Sequence, residues 1–179
     1  MDIGFRPFTR ADYPLLARWR RDRAWLTWWG PAQTVDELEE YYGPVIDGDD
    51  PTIMSIATLD GQDIGLTEQY RIADHPEWDA QVRIEGAAGI DYGIGLPEHR
   101  GRGVGTAMLT ALVADTFDEF HDCTSVVAAP KSANRASCGV LERIGMELVR
   151  VEHLKGEYPE EGDSSIYVMR RTAWEAGEQ

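Results

Sequence analysis

The sequence is poor in cysteine, in basic residues and in long apolar runs, and each shortage excludes a class of protein. Its two cysteines, Cys123 and Cys138, are too few for a disulfide scaffold, and the four histidines show no metal-ligand spacing. No apolar run approaches the roughly 20 residues of a membrane span. The first residues lack the basic and apolar segments of a secretory signal. We therefore expect a cytoplasmic protein without a bound metal.

Basic residues are outnumbered by acidic ones. The 17 Lys and Arg against 32 Asp and Glu leave a net charge of −15. Because phosphate binding depends on cationic side chains, nucleic acid and anionic membrane surfaces are poor partners for this chain. A cationic small molecule is a better match, although a surplus of acid also serves simply to keep a protein in solution.

The rest of the composition is typical of one globular domain. The chain has 179 residues, of which 42% are hydrophobic, with six Trp and seven Tyr, and we expect a single domain over residues 1–179.

Periodicity and turn residues predict strands at 3–8, 52–59, 64–72, within 81–96, 124–128, 146–153 and 165–169, and helices at 11–23, 34–42, from 103 onward and at 133–144. Asp60 and Gly61 should form a hairpin turn. The segment 25–31 should break the helical pattern, 74–79 should be a loop, and the tail after Trp174 should fray. Strands and helices in this mixed order favour an α/β or α+β fold.

A glycine-rich turn between a strand and a helix carries the chemistry. Arg100-Gly101-Arg102-Gly103-Val104-Gly105 brings unobstructed backbone and the N–H groups of a helix N-terminus together, which suits a pyrophosphate. A Walker A loop is excluded because no Gly-Lys-Ser/Thr triplet follows, and the dinucleotide fingerprint has different spacing. A purely structural glycine turn is the alternative.

This Arg-x-x-Gly-x-Gly turn resembles the acetyl coenzyme A loop of the GNAT superfamily of N-acetyltransferases. A second block of the superfamily is matched by Asn134, Glu142, Arg143 and Gly145, with Met146 in place of an aromatic residue. The resemblance implies a mixed, mostly antiparallel central sheet that splays at the cofactor site and is flanked by helices. It implies acetyl-CoA as cofactor and direct transfer without a covalent enzyme intermediate. The cofactor-binding residues implied are Ile94, Gly95, Leu96, Arg100, Gly101, Arg102, Gly103, Val104, Gly105, Thr106 and Asn134, with backbone N–H groups near Ile94 to Leu96 facing the acetyl carbonyl and the pantetheine.

Asp91 is the candidate catalytic base. It lies on the strand that leads into the glycine-rich turn, between Ile90 and Tyr92, and a buried carboxylate there would take a proton from an ammonium or hold that ammonium in place. A solvent-facing aspartate at a strand position would do neither.

Within the superfamily, the chain looks most like the aminoglycoside 6′-N-acetyltransferase branch. The shared segments are Trp28-Trp29-Gly30, Glu40-Tyr41-Tyr42, Gly61 to Gly65 followed by Gln69-Tyr70, and Gly89-Ile90-Asp91. The branch uses such residues for an anionic, aromatic-walled cleft, where rings stack on sugars and attract ammonium groups. The substrate-binding residues implied are Trp28, Trp29, Tyr41, Tyr42, Glu68, Gln69, Tyr70, Asp74, Glu77, Trp78 and Asp91. Plain core packing is the alternative for the Trp pair.

Two positions depart from the family pattern. Leu141 stands where many members have a tyrosine that returns a proton to the departing thiolate, and Ala129 stands where the branch has a substrate-binding aspartate. We therefore keep three functions open: acetylation of a cationic small molecule, with an aminoglycoside as the leading candidate; acyl transfer to a siderophore precursor or a polyamine; and a non-catalytic sensor that binds coenzyme A. A monomer or a homodimer is expected.

Overall fold

A computed structural model describes residues 1–156 and 158–177 of the chain. The strands are β1 (Ile3–Pro7), β2 (Ile53–Leu59), β3 (Gln62–Arg71), β4 (Ala87–Ile94), β5 (Ser125–Ala128), β6 (Glu147–Glu152) and β7 (Ser164–Arg170). The helices are α1 (Tyr13–Trp19), α2 (Arg23–Trp28), α3 (Val35–Asp47), α4 (Pro76–Val82), α5 (Val104–Glu119), α6 (Arg135–Arg143) and α7 (Arg171–Gly177). Short 3₁₀ turns occupy Arg10–Asp12, Ile72–Asp74 and Pro97–His99.

The seven strands form one sheet in the order β1-β2-β3-β4-β5-β7-β6. β4 and β5 run parallel, and the other neighbours are antiparallel. The parallel pairing joins residues 87–89 to residues 125–127, whereas β4 continues to Ile94. The sheet therefore opens between β4 and β5 beyond Gly89. This confirms the predicted fold, a mixed and mostly antiparallel sheet that splays beside the glycine-rich turn.

Helices cover both faces of the sheet, and strand alternation decides which side chains they meet. Ile90 of β4 packs in a buried cluster with Leu109 and Leu112 of α5. On the opposite face, Leu66 of β3 packs in a cluster with Tyr42 of α3. The two clusters fix the sheet between α5 and the α1–α3 layer, so that alternate residues of β3 and β4 point into different environments.

Two helices of the α1–α3 layer differ from the sequence-based expectations. Residues 23–28 are helical rather than a break, because the Asp22 side chain accepts a hydrogen bond from Ala24 N–H at the start of α2. α3 does not end near Tyr42 but runs to Asp47 with Pro44 inside it, and Gly48 closes it at a φ of 82°. Proline removes one helical hydrogen bond, and the packing of α3 on the core outweighs that cost.

Two segments predicted to lack regular structure are helical. The expected loop at 74–79 is largely α4, which begins with Pro76 in its first turn, a position where proline costs no hydrogen bond. The expected frayed tail is α7, held by Trp174, whose ring centroid lies 6.3 Å from that of Phe117. Residues 178 and 179 of that tail lie outside the described residues.

The hairpin turn at Asp60 and Gly61 is confirmed. Both residues adopt positive φ angles, 50° and 81°, which match the twist of the β2–β3 hairpin. Among the residues described, no helix has the length and apolar character needed to cross a membrane.

Candidate active site

The glycine-rich turn and the first turn of α5 form a ring of backbone N–H groups. Gly101 and Gly103 take φ angles of 71° and 82°, where a side chain would be strained. Gly103 caps α5 without a side-chain hydrogen bond, and the first bond of the helix runs from Ala107 N–H to the Gly103 carbonyl. The N–H groups of residues 104–106 therefore have no partner within the helix and present a positive end to an anion.

These N–H groups open on a cavity of about 500 Å³, which we call the loop cavity. It is lined by Ala24, Trp25, Trp28, Trp29, Tyr92, Gly93, Ile94, Arg100, Gly101, Gly103, Gly105, Thr106, Met108, Leu109, Asn134, Ala136, Ser137, Val140 and Arg143. The cavity follows the opening of the sheet, from the glycine-rich turn to the start of α6. It thus combines an anion-binding end with a long apolar channel.

The predicted cofactor residues do not all face the loop cavity. The side chains of Leu96 and Val104 pack in a core cluster with Met108, which leaves only their backbone for a ligand, and Arg102 is exposed on the turn. Arg100 lines the cavity, but its guanidinium is paired with Asp22 at 2.6 Å. The charge of Arg100 is therefore balanced by Asp22.

The backbone at the end of β4 also needs a correction. Gly95 N–H donates to the Ile64 carbonyl at 2.7 Å, so it faces β3 and is not offered to a ligand. The Ile94 carbonyl accepts from Trp25 Nε1 at 3.1 Å and from Arg100 Nη2 at 2.8 Å. Because strand backbone groups alternate in direction, the Ile94 N–H points the other way, toward the opening between β4 and β5. Of the Ile94 and Gly95 N–H groups, that of Ile94 is therefore the one directed toward the loop cavity, which Ile94 lines.

A second cavity, of about 380 Å³, lies on the α1–α3 face of the sheet, and we call it the carboxylate cavity. Its lining residues are Tyr41, Tyr42, Val45, Asp50, Thr52, Met54, Glu68, Tyr70, His75, Trp78 and Asp91. Glu68 and Asp91 are opposite residues of the paired strands β3 and β4. The Tyr70 hydroxyl donates to Asp91 Oδ2 at 3.1 Å. Carboxylates and aromatic rings together make a site for a cationic group.

Three glycines clear the strand around Asp91. A Cβ at Gly89 would collide with the ring of Tyr70, one at Gly93 would lie 2.6 Å from Trp25, and one at Gly95 would collide with the ring of Trp19. Because residues 89, 91, 93 and 95 share one face, Asp91 is the only one of them to carry a side chain there. Aromatic rings occupy the cleared positions and form walls on both sides of the carboxylate.

The two carboxyl groups are both shifted toward the protonated form. Burial raises the pKa of Asp91, and the hydrogen bond from Tyr70 opposes that shift. Burial and the charge of Asp91 raise the pKa of Glu68 to about 8, although Arg20 acts in the opposite direction. A raised carboxyl pKa in a cavity is typical of a proton-transferring site.

A third, smaller cavity of about 110 Å³ connects the other two, and we call it the junction cavity. It shares Trp28, Trp29, Tyr92, Asn134 and Ser137 with the loop cavity. It shares Asp91 with the carboxylate cavity. Asp91 is therefore the point at which a group in one large cavity can meet a group in the other.

Several predicted substrate residues lie outside the carboxylate cavity. Gln69 points to the opposite face of β3, where its Nε2 donates to Thr116 Oγ1 at 2.8 Å and to Asp115 Oδ2 at 3.0 Å. Asp74 and Glu77 are exposed at the start of α4 and do not line the cavity. The predicted substrate-binding role of Gln69 is therefore wrong, whereas that of Asp74 and Glu77 stays a prediction. The Trp28 and Trp29 rings line the junction and loop cavities instead of the carboxylate cavity.

Sequence reasoning missed residues that only the fold brings to the site. Arg20, 5% exposed at the end of α1, donates to the Trp29 carbonyl at 2.6 Å and to the Tyr42 hydroxyl at 3.4 Å. The His75 ring lies edge-on to Tyr70, with 5.0 Å between centroids. No sequence motif marks either residue: Arg20 reaches the site from an element distant in the chain, and His75 lies in the short segment between β3 and α4.

A hydroxyl pair at the junction cavity was also missed. The Tyr92 hydroxyl and Ser137 Oγ are 2.5 Å apart, and both residues line the junction and loop cavities. Burial raises the pKa of Tyr92, so its hydroxyl keeps its proton. Ser137 lies one helical turn before Leu141, the position where many family members have a tyrosine. Residues spaced i, i+4 lie on the same face of a helix, so this spacing could have identified Ser137 from the sequence.

Comparison with known proteins places this geometry among acetyltransferases. The family described as an acetyltransferase (GNAT) domain matches residues 9–154. Aminoglycoside N(6′)-acetyltransferase type 1 of Klebsiella pneumoniae is 26% identical over 149 residues, which cover 81% of this chain and 74% of that protein.

Two solved structures show the same fold. The crystal structure of aminoglycoside acetyltransferase AAC(6′)-Ib with coenzyme A has a TM-score of 0.88 at 24% identity, covering 99% of this chain and 100% of that one. Spermidine N-acetyltransferase from Vibrio cholerae, in complex with CoA and spermine, has a TM-score of 0.75 at 19% identity, covering 96% and 97%.

Proposed function

The chain belongs to the GNAT acetyltransferase family, and from this premise we propose that it transfers an acetyl group from acetyl-CoA to a primary amine of a cationic small molecule. The leading acceptor is an aminoglycoside-type amino sugar, and the whole chain works as one catalytic domain. The observation that carries the proposal is the position of Asp91, which lines both the carboxylate cavity and the junction cavity that adjoins the loop cavity.

The loop cavity fits acetyl-CoA. The unpaired N–H groups of residues 104–106 suit its pyrophosphate, and the glycines of the turn leave room for close approach. The apolar channel along β4 suits the pantetheine arm, and the Ile94 N–H lies on its wall. When bound, acetyl-CoA supplies the activated acetyl thioester.

The carboxylate cavity fits a cationic acceptor. Glu68 and Asp91 supply negative charge, while Tyr41, Tyr42 and Trp78 supply rings that pack on a sugar and attract ammonium groups. From this cavity an amine reaches the junction cavity past Asp91, which accepts its proton. The aromatic walls exclude water from the carboxylate and strengthen its interaction with the ammonium.

The Tyr92–Ser137 pair takes the place of the hydroxyl that Leu141 lacks. Leu141 is fully buried in the core, whereas both hydroxyls lie on the wall shared by the loop and junction cavities. A hydrogen bond from this pair to the sulfur stabilises the negative charge that develops there as the C–S bond breaks. Because the pKa of Tyr92 is raised, the tyrosine donates a hydrogen bond without ionising.

A thiol-release assay with a panel of amines tests the proposal. We expect turnover of acetyl-CoA with kanamycin-type aminoglycosides, slower turnover with spermidine and none with a neutral sugar. The Glu147→Gln variant removes an exposed carboxylate on the edge strand β6, far from the cavities in the strand order, and serves as the control for any carboxylate substitution at the site. It should turn over the same amines as the wild type. Turnover confined to spermidine or to a hydroxylamine would replace the aminoglycoside assignment. Coenzyme A binding without turnover on any amine would contradict the enzymatic proposal.

A further inference from the structure

Glu68 and Asp91 form a pair of carboxylates across two hydrogen-bonded strands. They are opposite residues in the β3–β4 register, and both side chains line the carboxylate cavity. Opposite residues of an antiparallel pair on one face have Cβ atoms about 4.5–5.5 Å apart. The backbone therefore holds the Cβ atoms of the two acids side by side.

No ion pair neutralises the two acids within the described residues. The charge of Arg20, which follows α1, opposes the raised pKa of Glu68, but the Nη atoms of Arg20 donate to Tyr42 and to the Trp29 carbonyl. The neighbouring groups are Tyr41 and Tyr42 of α3, Asp50 before β2, Tyr70 of β3 and His75 before α4.

Two adjacent, partly buried carboxylates oppose each other's ionisation, because each raises the free-energy cost of charging the other. Such a pair can hold one negative charge and one proton between its two members. The pKa of Glu68, raised to about 8 by burial and by Asp91, has the direction that such sharing requires.

We propose that Glu68 and Asp91 act together as the base of the reaction, holding one proton between them until a cationic acceptor binds. The inference rests on the proposed function and deepens it, since it assigns a catalytic role to Glu68. An approaching ammonium favours the doubly ionised pair, which releases its shared proton to solvent. The pair then accepts a proton from the ammonium, and the electron pair of that N–H bond stays on nitrogen.

The remaining steps balance without another reactant. The nitrogen electron pair forms the bond to the acetyl carbon, and the C–S electron pair leaves with sulfur. Nitrogen loses its second proton as the amide forms, and sulfur gains one proton as the thiol. A base with a pKa near the working pH suits the first proton transfer, from the ammonium to the pair. A lone carboxylate, with a pKa of about 4, is a weaker base toward an ammonium.

The pH dependence of kcat/KM in the Glu68→Gln variant tests the pair. With the same amine, the acid limb of the kcat/KM profile of the wild type should have its midpoint near pH 8. In the variant it should move to lower pH, because Asp91 no longer has a like charge beside it, and the plateau should fall by about tenfold or more because Asp91 alone is a weaker base. Any limb due to the amine itself is common to both proteins. An unchanged limb, with or without a lower plateau, would overturn the proposal.

The pH dependence of stability provides a readout that needs neither acetyl-CoA nor turnover. A carboxyl group whose pKa is raised by folding stabilises the protein below its unfolded pKa and loses that contribution as pH rises through the folded value. The melting temperature of the wild type should therefore fall between about pH 4.5 and about pH 8. Glu68→Gln should flatten this decline, and the control Glu147→Gln should not.

The pH profile of kcat/KM and the pH dependence of the melting temperature together distinguish a failure of the proposed function from a failure of the paired base. Turnover of aminoglycosides with an unmoved limb and an unflattened stability curve would leave the proposed function standing and overturn the pair. A flattened stability curve in a protein that acetylates no amine would contradict the proposed function and, with it, the role of the pair as a base.

Discussion

The loop cavity and the carboxylate cavity are built from different parts of the chain and prepare for opposite charges. The loop cavity attracts an anion with neutral backbone N–H groups from one short segment, residues 101–106. The carboxylate cavity attracts a cation with side chains that come from α3, α4, β3, β4 and two connecting segments. The first needs glycines and a helix N-terminus, whereas the second needs buried carboxylates that cost free energy to ionise. The same site thus has one half that is insensitive to pH and another that depends on it.

The largest expected effect comes from Asp91→Asn, which changes the one residue common to the junction and carboxylate cavities. Loss of a general base lowers rates by about 10²–10⁴-fold, so kcat/KM for the amine should fall by that order. Affinity for coenzyme A should stay within about twofold, since the residue does not line the loop cavity. Steady-state kinetics and calorimetry measure the two quantities. Equal losses in turnover and in coenzyme A affinity would show that the two halves are not separate.

A smaller effect is expected from Tyr92→Phe, which removes one hydroxyl of the pair on the shared wall. A hydrogen bond to a charged group contributes about 1.5–3 kcal/mol, which corresponds to about a 10- to 100-fold loss of kcat. The KM values for acetyl-CoA and for the amine should change little, because the ring remains. Ser137→Ala should lower kcat similarly, and the double variant should be no worse than either single one. Additive losses would mean that the two hydroxyls act separately.

The smallest expected effects come from two alanine substitutions that sharpen the contrast. A Cβ at Gly105 would make ordinary contacts, 3.5 Å from Ile94 Cδ1 and 3.7 Å from a Val140 methyl, so Gly105→Ala should fold and raise the KM for acetyl-CoA several-fold. A Cβ at Gly89 would displace the Tyr70 ring, so Gly89→Ala should raise the KM for the amine and leave that for acetyl-CoA unchanged. Circular dichroism checks that both variants fold. If Gly105→Ala raised the KM for the amine, or Gly89→Ala raised the KM for acetyl-CoA, the assignment of the loop cavity to acetyl-CoA and of the carboxylate cavity to the amine would be refuted.

The same contrast explains which parts of the molecule could be predicted from the sequence. The glycine-rich turn and its helix are contiguous, so the motif alone predicted a ligand site at Gly101, Gly103 and Gly105, to which the family resemblance added Thr106, and all four line the loop cavity. The family resemblance implied a mixed, mostly antiparallel sheet that splays at the cofactor site, but not the order of its strands. What local spacing could not show was that the charge of Arg100 is balanced by Asp22, which is remote in sequence.

The carboxylate cavity was less predictable because it depends on tertiary contacts. Arg20 and His75 belong to no motif, and their approach to the cavity follows from helix packing on the sheet. The error at Gln69 was avoidable, since the period of two in β3 places it opposite Glu68 and Tyr70. The short helices α2 and α4 were missed because their periodicity is weak: the Asp22 cap begins α2, and α4 begins at Pro76 and is held by the buried Val82.

The central claim is that acetyl-CoA enters along β4 and presents its thioester beside Asp91, and a crystal structure of the protein with coenzyme A tests it most directly. The account predicts the pyrophosphate on the N–H groups of residues 104–106 and the sulfur in the junction cavity, within hydrogen-bond reach of Ser137 Oγ. Coenzyme A bound outside the loop cavity, or bound there with its sulfur directed away from Asp91 and Ser137, would contradict it.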